Sequence, residues 1–171
     1  YSASKACTEI LTKSHALSFK KLKLCTARAG NIIGGGDWAK DRIITDIVNS
    51  IKNKKDIVIR NPKAIRPWQH VIDVVNGYLK LGEYNDHKKE AFNSFNFGPL
   101  EENEIDVKTL TKKFLANYQL NNLKIIIDKN ENLPESNILR LDSSKSKQIL
   151  EWEPILNIDN AYIENLKKAQ V

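Results

Sequence analysis

The sequence predicts an α/β protein. Segments with apolar residues at helical spacing alternate with short β-prone runs. The run Leu22–Ala27 leads into a glycine-rich stretch holding Gly30 and Gly34-Gly35-Gly36. An open α/β sheet binds its ligands where strands end in such loops, at the carboxyl edge, and glycines let a backbone approach a bound group closely. A chain of 171 residues with 41% hydrophobic and 28% charged residues can bury a sizeable core and has the composition of a soluble globular protein.

Taken in order, Tyr1 to about Phe19 reads as a helix, with Ala6, Ile10 and Leu17 at helical spacing and Lys20 and Lys21 near its carboxyl end, where cations suit the helix dipole. His15 on it reads as a surface or packing residue. Leu22–Ala27 is the next strand, expected in a parallel sheet, and Arg28–Gly36 a loop. Asp37–Asn53 follows as a helix with Ile43, Ile44, Ile47, Val48 and Ile51, then Asp56–Arg60 as a strand. Asn61–Pro67 reads as a proline-flanked loop in which Arg66, preceding Pro67, is biased toward extended backbone. Val71–Tyr84 reads as a strand end and a helix with Asp73 as its cap, and Asn85–Glu90 as a charged surface link with His87 exposed. Phe92–Gly98 is a strand and turn, Asp106–Tyr118 an amphipathic helix, and Leu123–Ile127 and Ile138–Asp142 are strands. Asp142-Ser143-Ser144 caps a helix to Leu150, Trp152-x-Pro154 closes it, and a last helix covers Ile158–Lys168.

Several function classes are disfavoured. No apolar run is long enough to span a membrane. Cys7 and Cys25 are too few for a disulfide framework and lack metal-site spacing, so both read as buried thiols in a reducing cytoplasm, and no metal is expected. The net charge of +6 is uneven: residues 1–60 hold 12 Lys and Arg against 5 Asp and Glu, residues 61–171 hold 15 against 16. Solvated lysines account for most of that excess, which is also compatible with an anionic ligand. No nucleic-acid module is visible.

The chemistry is carried by Tyr1-Ser2-Ala3-Ser4-Lys5. If Ser2 or Ser4 opens the helix, Tyr1 and Lys5 stand four apart on one face. A phenol titrates near pH ~10, and a cation held close favours the phenolate. A tyrosine so tuned can exchange a proton with a substrate hydroxyl. Taken alone, the spacing is a weak signal, and a Tyr and a Lys on an ordinary helix surface explain it better.

Two further blocks narrow the choice: Arg28-Ala29-Gly30-Asn31-Ile32-Ile33-Gly34-Gly35-Gly36-Asp37-Trp38 and Arg60-Asn61-Pro62-Lys63-Ala64-Ile65-Arg66-Pro67-Trp68-Gln69-His70-Val71. With Tyr-Ser-Ala-Ser-Lys they resemble the extended short-chain dehydrogenase/reductases that act on nucleotide sugars (the NAD-dependent epimerase/dehydratase family), and within them the CDP-glucose 4,6-dehydratase branch. The resemblance runs in order to Leu150-Glu151-Trp152-Glu153-Pro154. In that family the catalytic Tyr lies near mid-chain, so the resemblance implies the carboxyl-terminal half of a longer enzyme. No Gly-x-Gly-x-x-Gly follows a strand here.

The implied fold is the C-terminal part of a Rossmann-like doubly wound parallel sheet plus a smaller α/β substrate-binding domain. Residues 1–40 would belong to the NAD-binding domain and 41–171 mainly to the sugar-nucleotide domain, with segments returning to the first sheet. The resemblance makes Tyr1 and Lys5 catalytic and, with Ala29 and Gly30, NAD-binding. It places Asn31, Arg42, Arg66 and His70 against the sugar nucleotide, Arg66 gripping the diphosphate. Arg42 reads nearly as well as a solvated residue, His70 equally as a brace for its loop, and Trp68 as packing. The implied reaction is NAD-dependent dehydration of CDP-D-glucose in deoxysugar biosynthesis for cell-surface polysaccharide, in the cytoplasm, by a homodimer formed through the Tyr1 helix. Alternatives are another nucleotide-sugar 4,6-dehydratase (dTDP or GDP), a nucleotide-sugar 4-epimerase, and, more distantly, a non-catalytic basic binding module.

Overall fold

Residues 1–19, 21–39, 41–87, 89–117, 122–128, 136–157 and 159 are described by a computed structural model, with Glu102 in backbone only. The expected first helix forms as α1 (Ser2–Ser18). Neither Ser2 nor Ser4 is its cap. Tyr1 takes that position, and its carbonyl accepts bonds from the Lys5 N–H at 3.1 Å and the Ser4 hydroxyl at 2.7 Å. Strand β1 (Leu24–Ala29) follows, and β2 (Asn31–Ile33) lies within the stretch read as a loop.

Helix α2 (Ile43–Lys52) starts six residues later than its sequence suggests. Asp41 has φ 61°, a left-handed conformation that no helix continues through. Its apolar stripe buries Ile47 and Val48. Strands β3 (Ile57–Ile59) and β4 (Ile65–His70) come next. The latter corrects the reading of Asn61–Pro67 as loop throughout, since Arg66 and Pro67 lie on the strand. Pro67 is tolerated because β4 changes partner there: residues 65–67 pair with β6 (Glu104–Asp106) and residues 68–70 with β2.

The strand end expected at Val71 falls at His70, where β4 stops, so helix α3 runs from Val71 to His87 and includes the predicted surface link as far as His87, which is exposed. Asp73 does not cap it. Its carboxylate is 3% exposed and accepts the backbone N–H groups of Ile155 (3.2 Å) and Leu156 (3.0 Å), so it anchors the carboxyl-terminal segment. Strand β5 (Phe92–Phe97) is as expected. Asp106 caps α4 (Val107–Asn117) by accepting the Thr109 N–H at 2.8 Å. Strand β7 (Ile125–Ile127) and helix α5 (Ser144–Leu150) complete the described elements, and Asp142 accepts the Ser144 N–H at 2.9 Å. The predicted strand at Ile138–Asp142 reduces to a single bridge, Ile65 with Ile138. The expected helix over Ile158–Lys168 lies outside the described residues except for Asp159, as do Lys20 and Tyr118.

Parallel β1 and β5 form one sheet, with Arg28 opposite Asn96 and Ala29 opposite Phe97. Alternate side chains leave its two faces. Thr26 and Arg28 reach α1, whereas Phe95 and Phe97 enter a core with Leu81, Leu150 and Trp152 beneath α3. A second core fills the space between β2–β4–β6, the parallel pair β3–β7, and helices α2 and α4; Ile33, Ile47, Ile57, Trp68, Leu110 and Phe114 are its centre. Trp68 is packing, as read from sequence, and donates its indole N–H to the Ile105 carbonyl at 3.0 Å. Cys7, expected to be buried, is exposed on α1, and Cys25 is half-buried.

Candidate active site

Tyr1 and Lys5 share one face at the start of α1. The phenol is 93% exposed, and the Lys5 Nζ lies 5.6 Å from its ring centroid. Helix direction decides where this pair lies relative to the sheet. Only residues 19–23 separate the end of α1 from the start of β1, so the helix runs back along the strand, and eight residues up α1 the Glu9 carboxylate meets Thr26 and Arg28, the third and fifth residues of β1. At ~1.5 Å per residue those eight residues cover ~12 Å, about four residues of strand at ~3.3 Å each. Tyr1 therefore stands level with the residues just beyond Arg28, at the carboxyl edge.

Ala29, Gly30 and Asn31 occupy that edge. The Gly30 N–H donates to the Phe97 carbonyl at 3.2 Å, and Asn31 opens β2 opposite Trp68. A Cβ on Gly30 would lie 2.3 Å from the Pro67 carbonyl oxygen. Only glycine allows this approach, which brings the β1–β5 sheet against β4. Arg66, adjacent to Pro67, is half-buried, and its Nη1 donates to the Ile65 carbonyl at 2.9 Å. The structure thus brings Ala29, Gly30 and Asn31 together with the Arg66–Pro67 segment, and directs Tyr1 and Lys5 to the same edge. Arg42 stands at the N-cap of α2 with an exposed side chain. His70 is 1% exposed, and its Nδ1 accepts the Ile72 N–H at 3.1 Å. This contact braces the turn from β4 into α3.

Two contributors escaped the sequence reading. Gln69 is fully buried and donates from Nε2 to the Phe97 carbonyl at 2.9 Å, beside the Gly30 contact. Glu9 takes both ends of the Arg28 guanidinium, Nε to Oε1 and Nη2 to Oε2, each at 2.9 Å, and the Thr26 hydroxyl at 2.9 Å. Partial burial works against the Glu9 charge, but the bonds from Arg28 and Thr26 outweigh it and hold the carboxyl below the usual range. Glu9 follows Tyr1 and Lys5 at four-residue intervals, a signal the sequence did contain. No group of three or more His, Cys, Asp or Glu among the described residues is placed to hold a metal ion.

Comparison with known proteins gives a consistent family. Residues 1–98 match the NAD dependent epimerase/dehydratase family. The chain is 37% identical over 164 residues to CDP-glucose 4,6-dehydratase of Salmonella typhimurium (strain LT2), an alignment covering 90% of this chain and 45% of that protein. It therefore spans about half the length of the curated relative it matches. Among solved structures, dTDP-glucose 4,6-dehydratase from Bacillus anthracis in complex with NAD superposes with TM-score 0.82 at 16% identity, covering 99% of this chain and 51% of that one. UDP-glucose 4-epimerase from Thermotoga maritima gives 0.83 at 19% identity, covering 99% and 53%. These last two likenesses establish the shared Rossmann-type α/β fold.

Proposed function

The chain belongs to the NAD dependent epimerase/dehydratase family, and from that premise we propose that it is part of an NAD-dependent nucleotide-sugar 4,6-dehydratase acting on CDP-D-glucose. The observation that carries the substrate is the 37% identity to a CDP-glucose 4,6-dehydratase across 90% of this chain. We assign residues 1–40, with β5 returning to their sheet, to the NAD side, and the rest of residues 41–171 mainly to the sugar-nucleotide side.

The residues present fit the nicotinamide end of the cofactor: an exposed phenol, a nearby ammonium, and the Ala29-Gly30 backbone at a sheet's carboxyl edge. NAD⁺, when bound, supplies the hydride acceptor and, once reduced, the donor. Tyr1 is the base at the C4 hydroxyl while hydride leaves C4. Lys5 stabilises the negative charge and holds the nicotinamide ribose. The resulting 4-ketone acidifies the C5 proton. Loss of that proton and the C6 hydroxyl releases water, and hydride delivered to C6 with a proton to C5 gives CDP-4-keto-6-deoxy-D-glucose. Asn31 offers a donor and an acceptor to the sugar nucleotide. Arg66 and Arg42 hold the diphosphate, Arg66 through its planar fork. His70, buried at the turn from β4 into α3, braces that loop, the second of the two roles the sequence left open to it. The elimination's acid and base are assigned outside these 171 residues, and the 171-residue chain alone is expected to be inactive. The exposed Ile10, Leu11 and Leu17 of α1 support a homodimer through this helix.

The test is to give the full-length enzyme NAD⁺ with CDP-, dTDP-, GDP- or UDP-glucose separately and assay for 4-keto-6-deoxy product. Product from CDP-glucose, lost at least ~10³-fold in Tyr1→Phe, is the expected result. Product from another nucleotide alone would keep the mechanism and overturn the substrate. An epimer without keto product would move the protein to the epimerase branch, and turnover by the isolated chain would refute its expected inactivity.

A further inference from the structure

We propose that the Glu9–Arg28 pair is a positioning clamp that sets the height and rotation of α1 and thereby aims Tyr1 and Lys5; this rests on reading those two residues as catalytic. The contact is ionic where a helix lying on a sheet ordinarily packs with apolar side chains. Among the described residues of α1 only Ala16 is buried, and it lies near the carboxyl end, far from Tyr1. Toward the amino end no residue of α1 is buried, and polar bonds from Glu9 tie the helix to the sheet. Arg28 binds the Glu9 carboxylate through both Nε and Nη2, and Thr26 adds a third bond. The remaining Arg28 nitrogen, Nη1, donates to Asn96 Oδ1 on β5 at 3.0 Å, and Asn96 Nδ2 donates to the Asp142 carbonyl at 3.0 Å. One chain of bonds therefore joins α1, β1, β5 and the turn that opens α5.

This chain is poorly placed to supply stability. The Arg28 and Glu9 side chains are 45% and 26% exposed, and ion pairs in such settings contribute little. It is well placed to supply geometry. A guanidinium fork binding a carboxylate at two points fixes orientation as well as distance. Tyr1, Lys5 and Glu9 recur every four residues, so they share one helix face. Fixing Glu9 over Arg28 fixes the rotation of that face and the distance by which Tyr1 overhangs the end of β1. Small displacements of a reacting group are costly: a misplacement of about 1 Å can lower rate on the order of a hundredfold.

The test compares Glu9→Gln, Arg28→Lys and the double variant with wild type in the full-length enzyme, well below their melting temperatures. We expect kcat to fall about tenfold in each single variant while KM for the sugar nucleotide stays within about twofold. The double variant should lose no more than either single one, and amides at residues 2–8 should exchange faster with those of α3 unchanged. Unchanged kcat in folded Glu9→Gln, a loss expressed through KM alone, or additive losses would each overturn the clamp. Should Glu9→Gln fail to fold, Thr26→Val removes the third bond alone and should lower kcat about twofold to threefold; no change in it would overturn the clamp. If wild type itself turns over no sugar nucleotide, the functional reading fails separately. Exchange at residues 2–8 then decides the clamp, and unchanged exchange in Glu9→Gln counts against it.

Discussion

Gly77 on α3 offers a direct measure of how tightly the first core is packed. A Cβ built there would lie 2.5 and 2.7 Å from Phe97 Cδ1 and Cε1 and 3.0 Å from Trp152 Nε1. Ordinary contacts begin near 3.4 Å, so the ring must move by roughly 1 Å. Phe97 and Trp152 are 0% and 1% exposed, meet edge to face at 4.9 Å, and Phe97 also abuts Tyr78 at 5.6 Å. The Trp152 N–H is engaged with the Asp73 carbonyl at 3.0 Å. With no free direction, the overpacking cost of Gly77→Ala falls at the upper end of the range, ~3 kcal/mol. Replacing a mid-helix glycine by alanine returns ~1 kcal/mol, leaving a net loss of about 2 kcal/mol. The same helix supplies the control. Gly82 is exposed with nothing within 4 Å of its would-be Cβ, so Gly82→Ala should stabilise by up to ~1 kcal/mol. Urea unfolding followed by tryptophan fluorescence would measure both. If Gly77→Ala is as stable as wild type, or if the two substitutions shift stability equally, the close approach of α3 to β5 is not what requires glycine.

Two further outcomes follow from buried and partly buried carboxylates. Asp73→Asn keeps one acceptor but turns an amide donor toward the N–H of Ile155 or Leu156; stability should fall by about 1–3 kcal/mol, with proteolysis after residue 150 accelerated, and an unchanged unfolding midpoint would remove Asp73 as the anchor of that segment. Glu9 has a lowered pKa in the folded chain, so the stability it contributes is present above its unfolded value of 4.5 and is lost as pH falls through the folded value. The melting-temperature gap between wild type and Glu9→Gln, small for an ion pair this exposed, should therefore be full at pH 7, shrink from about pH 4.5 downward and close below the folded value; a gap independent of pH would show that the charge is not involved.

Much of the fold was visible in local pattern. Helices α1, α2 and α4 carry 3.6-residue apolar spacing, and β1, β3, β5 and β7 are β-prone runs bounded by turn residues. What was missed depends on partners distant in sequence. Pro67 argued for a loop because a proline cannot donate to a ladder. It sits on β4 only because that strand exchanges β6 for β2 at this point, which no window of the sequence displays. Asp73 has the position of a helix cap, but its carboxylate is taken by backbone 82 and 83 residues further on. The start of α2 was misplaced because Asp41 adopts a left-handed conformation uncommon for any residue but glycine.

The same division runs through the candidate site. Tyr1 and Lys5 were legible because a helix converts a spacing of four into a shared face. Gly30 could be singled out as a glycine in a loop, yet the reason for it lies in Pro67, a residue 37 positions away whose carbonyl fills the place of a side chain. Arg28 stands ahead of the glycines in the sequence, and, its four-residue spacing apart, nothing near Glu9 marks it as more than a charge on a helix. Their pairing becomes visible only once α1 and β1 are set side by side, across 19 positions of sequence. The residues proposed to do chemistry, Tyr1 and Lys5, sit at a local spacing that the sequence displays. The residues proposed to aim them, Glu9 and Arg28, are joined only through the packed structure, and a sequence read without its fold passes over that pair.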